Sequence, residues 1–272
     1  MAATPGVDAS AFADRPTAAG VYDYALGGSA NTPADRALAE HARQAMPHIF
    51  LAAWANRGFL QRCVKHLVTE LGIRQFIDLG AGFPTQGNTH EVVAEHRSDG
   101  RVVYVDVDPR VVRRSNEIVA GLDGVATILA DIRQPDEILG HPELQRLIDF
   151  TQPVAVLAVA VTHFISDADD PWGIIARYVD ATVPGSYLAL SAVTGDRQEE
   201  RWQQALGASR EYEGYPRSLA EVRRFFEGLQ ILPAYPGAEP VVDYVGMWGA
   251  EDPDLADDDG SRLAYAALAR KP

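Results

Sequence analysis

Apolar positions recur at steps of three and four in the first quarter of the chain, then give way to short, mostly apolar runs. Leu60, Val64, Leu67, Val68 and Leu71 share one face of a helix, which Gly72 can end in a left-handed stop. Short apolar runs follow at 75–79, 102–107, 126–129, 154–161 and 187–193. Between them 89–97, 110–120 and 171–182 are long enough for helices, the alternation expected of a parallel sheet. The unbroken run 154–161 fits a strand covered on both faces. Asp170-Pro171 reads as a helix N-cap and first helical position, and Val183-Pro184-Gly185-Ser186 as the stop that turns into the next strand. The segment 217–229 predicts a further helix, whereas 262–269 suits strand and helix equally on propensity. The pattern predicts an α/β, doubly wound fold. Residues up to about Ala19 carry neither period and predict a flexible N-terminal arm, and 251–260 predicts a solvated loop. No internal repeat and no linker to a second domain is visible.

Composition narrows the class of protein. The 272 residues are 47% hydrophobic and 23% charged, which excludes disordered and disulfide-scaffold classes. Lys and Arg number 24 against 38 Asp and Glu, a net charge of −14 that disfavours nucleic acid and anionic lipid as partners. A single cysteine, Cys63, forbids an intrachain disulfide and a multi-cysteine metal site, and suits a reducing compartment. With no basic-then-apolar leader, and no apolar run near the roughly 20 residues of a membrane span, the expected location is the cytoplasm.

Ligands of such sheets bind beyond the carboxyl ends of the strands, where strand order reverses. The first strand runs into Asp78-Leu79-Gly80-Ala81-Gly82-Phe83-Pro84, whose glycines let backbone pass close to a ligand. The second ends at Asp106-Val107, 24 residues after Gly82, close to the spacing at which an acid meets a ribose diol. Asp108, before Pro109, is the better pure helix cap. The third ends at Asp131-Ile132, where a carboxylate can accept from an adenine amino group while Ile132 covers the ring. Thr85 stands where a dinucleotide fingerprint wants its third glycine, which disfavours an NAD-dependent oxidoreductase. Asp78 suits an ammonium better than a pyrophosphate. These features together point to S-adenosyl-L-methionine, which carries ammonium, ribose diol and adenine but no phosphate.

The strings Ile77-Asp78-Leu79-Gly80-Ala81-Gly82-Phe83-Pro84-Thr85-Gln86-Gly87-Asn88-Thr89-His90-Glu91 and Val21-Tyr22-Asp23-Tyr24-Ala25-Leu26-Gly27-Gly28-Ser29-Ala30-Asn31 resemble a bacterial S-adenosylmethionine-dependent methyltransferase family long catalogued as a domain of unknown function. The resemblance extends through Tyr104-Val105-Asp106-Val107-Asp108-Pro109, Val161-Thr162-His163-Phe164, Asp170-Pro171 and Pro184-Gly185-Ser186-Tyr187, nearly the whole chain. It implies a class I methyltransferase (Rossmann-like) fold: a seven-stranded sheet with its last strand antiparallel, residues 20–72 forming a helical cap and 73–272 the core of a single domain. It also implies that Ala160 contacts the cofactor through its backbone and that Tyr22 folds over the sulfonium side. Pro84 departs from the general class I pattern, where a third glycine is common.

Several candidates carry competing readings. His163 can serve as a general base or as a structural imidazole, and methyl transfer by in-line displacement needs no base if the nucleophile is well placed. Gln86, Asn88 and His90 either cap the following helix or face the acceptor. His90 and His96 lie six residues apart, about 120° around a helix, so they cannot share a metal. The acids at 252–259 lack calcium-loop spacing. Trp54, Trp172, Trp202 and Trp248 read as core or pocket wall. The sequence predicts a methyltransferase acting on a small-molecule acceptor, with a non-catalytic cofactor-binding module as the alternative.

Overall fold

The computed structural model describes residues 15–84, 87–196 and 214–272. Expectations for the start of the N-terminal arm and for Thr85, Gln86 and Trp202 lie outside the described residues. Three helices open the chain: α1 (Ala18–Ala25), α2 (Pro33–Ala45) and α3 (Ile49–Thr69). Thr17 caps α1, and α2 starts from a reciprocal box in which Thr32 and Asp35 satisfy each other's backbone N–H. After α3, Gly72 takes φ +68°, the left-handed stop expected of it.

Strands β1 (Gln75–Leu79), β2 (Arg101–Asp106), β3 (Val125–Leu129), β4 (Ala155–Val159) and β5 (Tyr187–Val193) are all parallel where they pair. The helices between them are α4 (Thr89–His96), α5 (Pro109–Ile118), α6 (Pro135–Leu139), α7 (Pro142–Leu147) and α8 (Pro171–Asp180). Beyond β5 come α9 (Leu219–Arg224), β6 (Gln230–Ile231), β7 (Asp243–Tyr244), α10 (Pro253–Ala256) and β8 (Ala264–Arg270). The sheet runs β3-β2-β1-β4-β5-β8-β6, with β7 also on β8. Order therefore reverses between β1 and β4, the switch point at which such sheets bind ligands.

The ambiguity at 262–269 resolves to strand because seven residues of β8 pair antiparallel with β5. The expected count of seven strands becomes eight: β6 and β7 are two-residue strands sharing the outer edge of β8. Strand β4 stops two residues early because Ala160 takes φ +55°. The predicted helix 217–229 is shorter, α9 giving way to turns after Arg224.

Two apolar layers follow from the period-two alternation of the strands. Ile77, Leu79, Val103, Val105 and Val156 face the side covered by α6 to α9. Phe76, Val102, Tyr104 and Leu157 face α3 and α4, where Phe59, Leu60, Cys63, Val64 and Leu67 are buried. Of the tryptophans, Trp248 is core, Trp172 is half-buried, and Trp54 is 48% exposed against expectation, because it lies off the sheet-facing stripe of α3. Among the described residues no helix is long and apolar enough to cross a membrane, and no cluster of ligating side chains could hold a metal.

Candidate active site

Asp78 and Asp106 lie on adjacent parallel strands with one residue, Tyr104, setting their register: Asp78 pairs with Tyr104, and Asp106 follows two positions on along the same face. Both carboxylates are buried, at 5% and 7% exposure. The bend after β1 is drawn against β2, since Gly80 and Ala81 both donate backbone N–H to the Val105 carbonyl. Gly80 takes φ +68°, and a Cβ there would collide with the Val161 side chain at the end of β4. Gly82 takes φ +65° but a Cβ there would meet only open space. The first glycine is thus required by packing and the second leaves room.

The Gly82 N–H donates to Asp106 Oδ2 at 2.9 Å, and the Asp108 N–H to Asp106 Oδ1 at 2.9 Å. Each oxygen keeps a lone pair for another donor. Thr89, in the first turn of α4, donates its hydroxyl to Asp78 Oδ2 at 2.7 Å. Burial pushes Asp78 up to about 6 against the lowering pull of Thr89 and Arg57. Burial likewise raises Asp106 to about 6, although the backbone N–H groups of Asp108 and Gly82 oppose it. Asp108 caps α5, accepting from the Arg110 N–H at 2.8 Å as the sequence suggests.

Beside the bend is a small pocket lined by Asp78, Ala81, Gly82, Thr89 and, from α3, Arg57. Arg57 is 6% exposed, its Nε has no hydrogen-bond partner, and its guanidinium lies 5.5 Å from the centre of the Tyr22 ring. Asn88 boxes the start of α4 with Glu91, and the His90 N–H donates to the Tyr104 hydroxyl at 2.8 Å. Asn88 thus caps α4 and also lines the pocket, while His90 ties the start of α4 to β2.

The remaining candidates divide. Asp131 follows β3 beside Asp106, whose carbonyl accepts from the Ala130 N–H at 3.0 Å. Its carboxylate is turned to Arg133, which donates at 2.9 and 2.6 Å to Oδ2. Burial alone would raise Asp131, but the Arg133 fork outweighs it and holds the carboxyl below its ordinary value. Ile132 is buried, with its carbonyl taken by the Tyr178 hydroxyl at 2.8 Å. Val107 is 64% and Leu129 47% exposed, two apolar side chains in water at the strand ends beside Asp106. Ala160 donates its N–H to Ser191 Oγ at 2.9 Å. The Tyr22 hydroxyl donates to the Ala53 carbonyl at 3.1 Å and accepts from Asn56 Nδ2 at 2.9 Å, so it is aimed at α3.

His163 is buried in the turn after β4, where the Arg217 guanidinium donates to the carbonyls of Thr162 and Ile165. Burial first, and the Arg217 charge second, drive its pKa down to about 3. An imidazole so reluctant to take a proton is a poor general base near neutrality, so its environment favours the structural reading.

Sequence reasoning missed Arg57, Asn56 and Tyr104. A signal was present: extending the apolar stripe of α3 backwards from Leu60 by three and four residues lands on Arg57 and Asn56, polar residues on the face that meets the sheet.

A doubly wound sheet with β8 inserted antiparallel between β5 and β6, two buried acids and a glycine bend at its switch point, is a class I methyltransferase architecture. A family profile described as "S-adenosyl methyltransferase" matches residues 6–272. The chain belongs to this family and is an S-adenosylmethionine-dependent methyltransferase. It is similar to the crystal structure of a candidate methyltransferase from Thermobifida fusca YX, with 38% identity over 96% of this chain and 97% of that one, and a TM-score of 0.87. A DUF574 family protein from Streptomyces avermitilis MA-4680 shares 36% identity over 95% and 98% of the two chains, also at 0.87. The N-methyltransferase NodS from Bradyrhizobium japonicum WM9, in complex with S-adenosyl-L-homocysteine, shares the fold at TM-score 0.51 and 14% identity over 93% and 99%. No curated protein matches.

The site fits the cofactor on three observations. Open space lies where a Gly82 side chain would be, a buried guanidinium atom lacks a partner, and exposed Val107 and Leu129 flank a carboxylate with acceptor capacity to spare.

Proposed function

We propose that this chain transfers the methyl group of S-adenosylmethionine to a small-molecule acceptor, with residues 20–72 acting as a helical cap over a 73–272 core. The bound cofactor supplies a sulfonium-activated methyl open to in-line displacement. Asp106 takes the ribose diol on the lone pairs that Gly82 and Asp108 leave free. Gly80, Ala81 and Gly82 bring backbone against the amino-acid portion, and Asp78 takes its ammonium. Val107 and Leu129 cover the adenine, with the Asp131-Ile132 segment at its edge. Ala160 offers its backbone to the methionine portion, and Tyr22 closes the cap through α3. No described side chain is assigned as a base, and positioning of the nucleophile carries the reaction.

The observation that carries this reading is the convergence of buried Asp78 and Asp106 on one glycine bend, joined by the 2.9 Å bond from Gly82 to Asp106. Removing the Asp106 carboxylate deletes charge-assisted hydrogen bonds worth about 1.5 to 3 kcal/mol each. Asp106→Ala is therefore expected to weaken cofactor binding at least about tenfold by calorimetry, and unchanged affinity would overturn the assignment. Label from a methyl-labelled cofactor is expected in a metabolite of a cell extract. Label found only in macromolecules would refute a small acceptor.

A further inference from the structure

Arg57 is costly where it stands. It lies on the sheet-facing side of α3 at 6% exposure, its Nε unpartnered, and among the described residues no carboxylate lies within 4 Å of it. A guanidinium withdrawn from water without an anion loses hydration that the ring of Tyr22 only partly replaces. Replacement by an apolar residue of similar length would remove that cost, so retention of Arg57 calls for a ligand. The pocket supplies the place: Arg57 lines it together with Asp78, a guanidinium and a carboxyl group on one small hollow.

That pairing restricts what fits. A simple anion would satisfy Arg57 but face the Asp78 carboxylate, and a simple cation the reverse. A zwitterion satisfies both, and the planar fork of arginine suits a carboxylate held by two parallel hydrogen bonds. Thr89 already holds one oxygen of Asp78 at 2.7 Å, which fixes the acid's orientation across the pocket.

We propose that Arg57 and Asp78 form a receptor for the α-amino-acid end of the cofactor, the guanidinium taking the α-carboxylate and Asp78 the α-ammonium, so that the site rejects adenosyl ligands lacking that carboxylate. This rests on the cofactor placement argued above and adds a specificity-determining residue to it.

The test is calorimetry on the full chain with three ligands: S-adenosylhomocysteine, its decarboxylated analogue, and 5′-methylthioadenosine, which lacks the whole amino-acid end. None carries the sulfonium charge, so the comparison isolates the carboxylate and ammonium. Wild-type protein is expected to prefer S-adenosylhomocysteine over the decarboxylated analogue by at least about tenfold, as one charge-assisted pair implies. Arg57→Met should bring the two within about threefold by weakening S-adenosylhomocysteine alone, and Arg57→Lys should restore part of the preference. Melting curves supply a second readout. The ligand-free melting temperature of Arg57→Met serves as the control for its fold, while the shift induced by S-adenosylhomocysteine should shrink. Wild-type protein that binds both ligands equally overturns the proposal without need of any variant, as does Arg57→Met with its preference intact. Wild-type protein that binds none of the three instead overturns the cofactor placement itself, and this inference with it.

Discussion

Asp78 and Asp106 each gain a proton more readily in the folded chain than in water, and the sign of that shift has two measurable effects. Their folded pKa values, about 6, lie above the unfolded reference near 3.8. Stability from each group is therefore fully present below about pH 3.8 and is lost as pH rises through about 6, on the order of 3 kcal/mol per group at neutral pH. The stability of wild type relative to Asp78→Asn is accordingly expected to fall between pH 5 and pH 7.5, a comparison in which the opposing contribution of buried His163 cancels. Binding reverses the trend, because a cationic cofactor and a diol both need ionised acceptors. Affinity for S-adenosylmethionine should climb between pH 5 and pH 7, with proton release that shows as a buffer-dependent heat in calorimetry. Affinity that stays flat across this interval would mean that neither acid titrates on binding.

At the scale of elements, the end of β4 is held by one hydrogen-bond chain with a single direction. The Ala160 N–H donates to Ser191 Oγ at 2.9 Å, whose hydroxyl donates to Asn56 Oδ1 at 2.5 Å. Asn56 Nδ2 donates to the Tyr22 hydroxyl at 2.9 Å, and that hydroxyl ends the chain on the Ala53 carbonyl. Strand β4, strand β5, α3 and α1 are thereby tied together at the point where Ala160 takes φ +55°. Asn56→Asp can still accept from Ser191 but cannot donate to Tyr22, and it buries a charge. It should cost about 2 kcal/mol or more in denaturant unfolding. Ser191→Ala should cost less, because the Ala160 N–H keeps the Ser191 carbonyl at 3.1 Å. Equal losses in the two variants would show that the chain does not act through Asn56.

For the whole molecule, the central question is how the N-terminal helices stay on the sheet. Arg110, next to the Asp106-Asp108 loop, bonds to Thr17 ahead of α1, pairs with Asp108 at 3.1 Å and lies 3.9 Å from Asp35 of α2. Asp35 is fully buried and accepts the N–H groups of Thr17 and Thr32 at 2.6 Å each. The proposed ribose loop and the helical cap therefore share one arginine. Arg110→Ala should raise hydrogen exchange in α1 and α2 while the amides of β1 and β2 remain protected, and ligand should no longer slow exchange in the cap. Unchanged exchange in α1 would assign the anchoring to α3 alone.

Features that depend on neighbours along the chain were readable from the residues. The short apolar runs gave β1 and β5 to the residue, Asp108 and Asp170 announced their caps, and Gly72 its stop, because propensity, capping and φ restriction act within a few residues. The glycine bend and the acids at the strand ends were legible for the same reason. Tertiary structure alone decided what depends on partners far away in sequence. The tail became β8 only because the edge of β5 was free to pair with it. Asp131 turned to Arg133, the Tyr22 hydroxyl turned to α3, and Arg57 came to face Asp78 across a pocket. Burial, which sets the charge state of Asp78, Asp106 and His163, is a property of the packed layers around a side chain and has no local code.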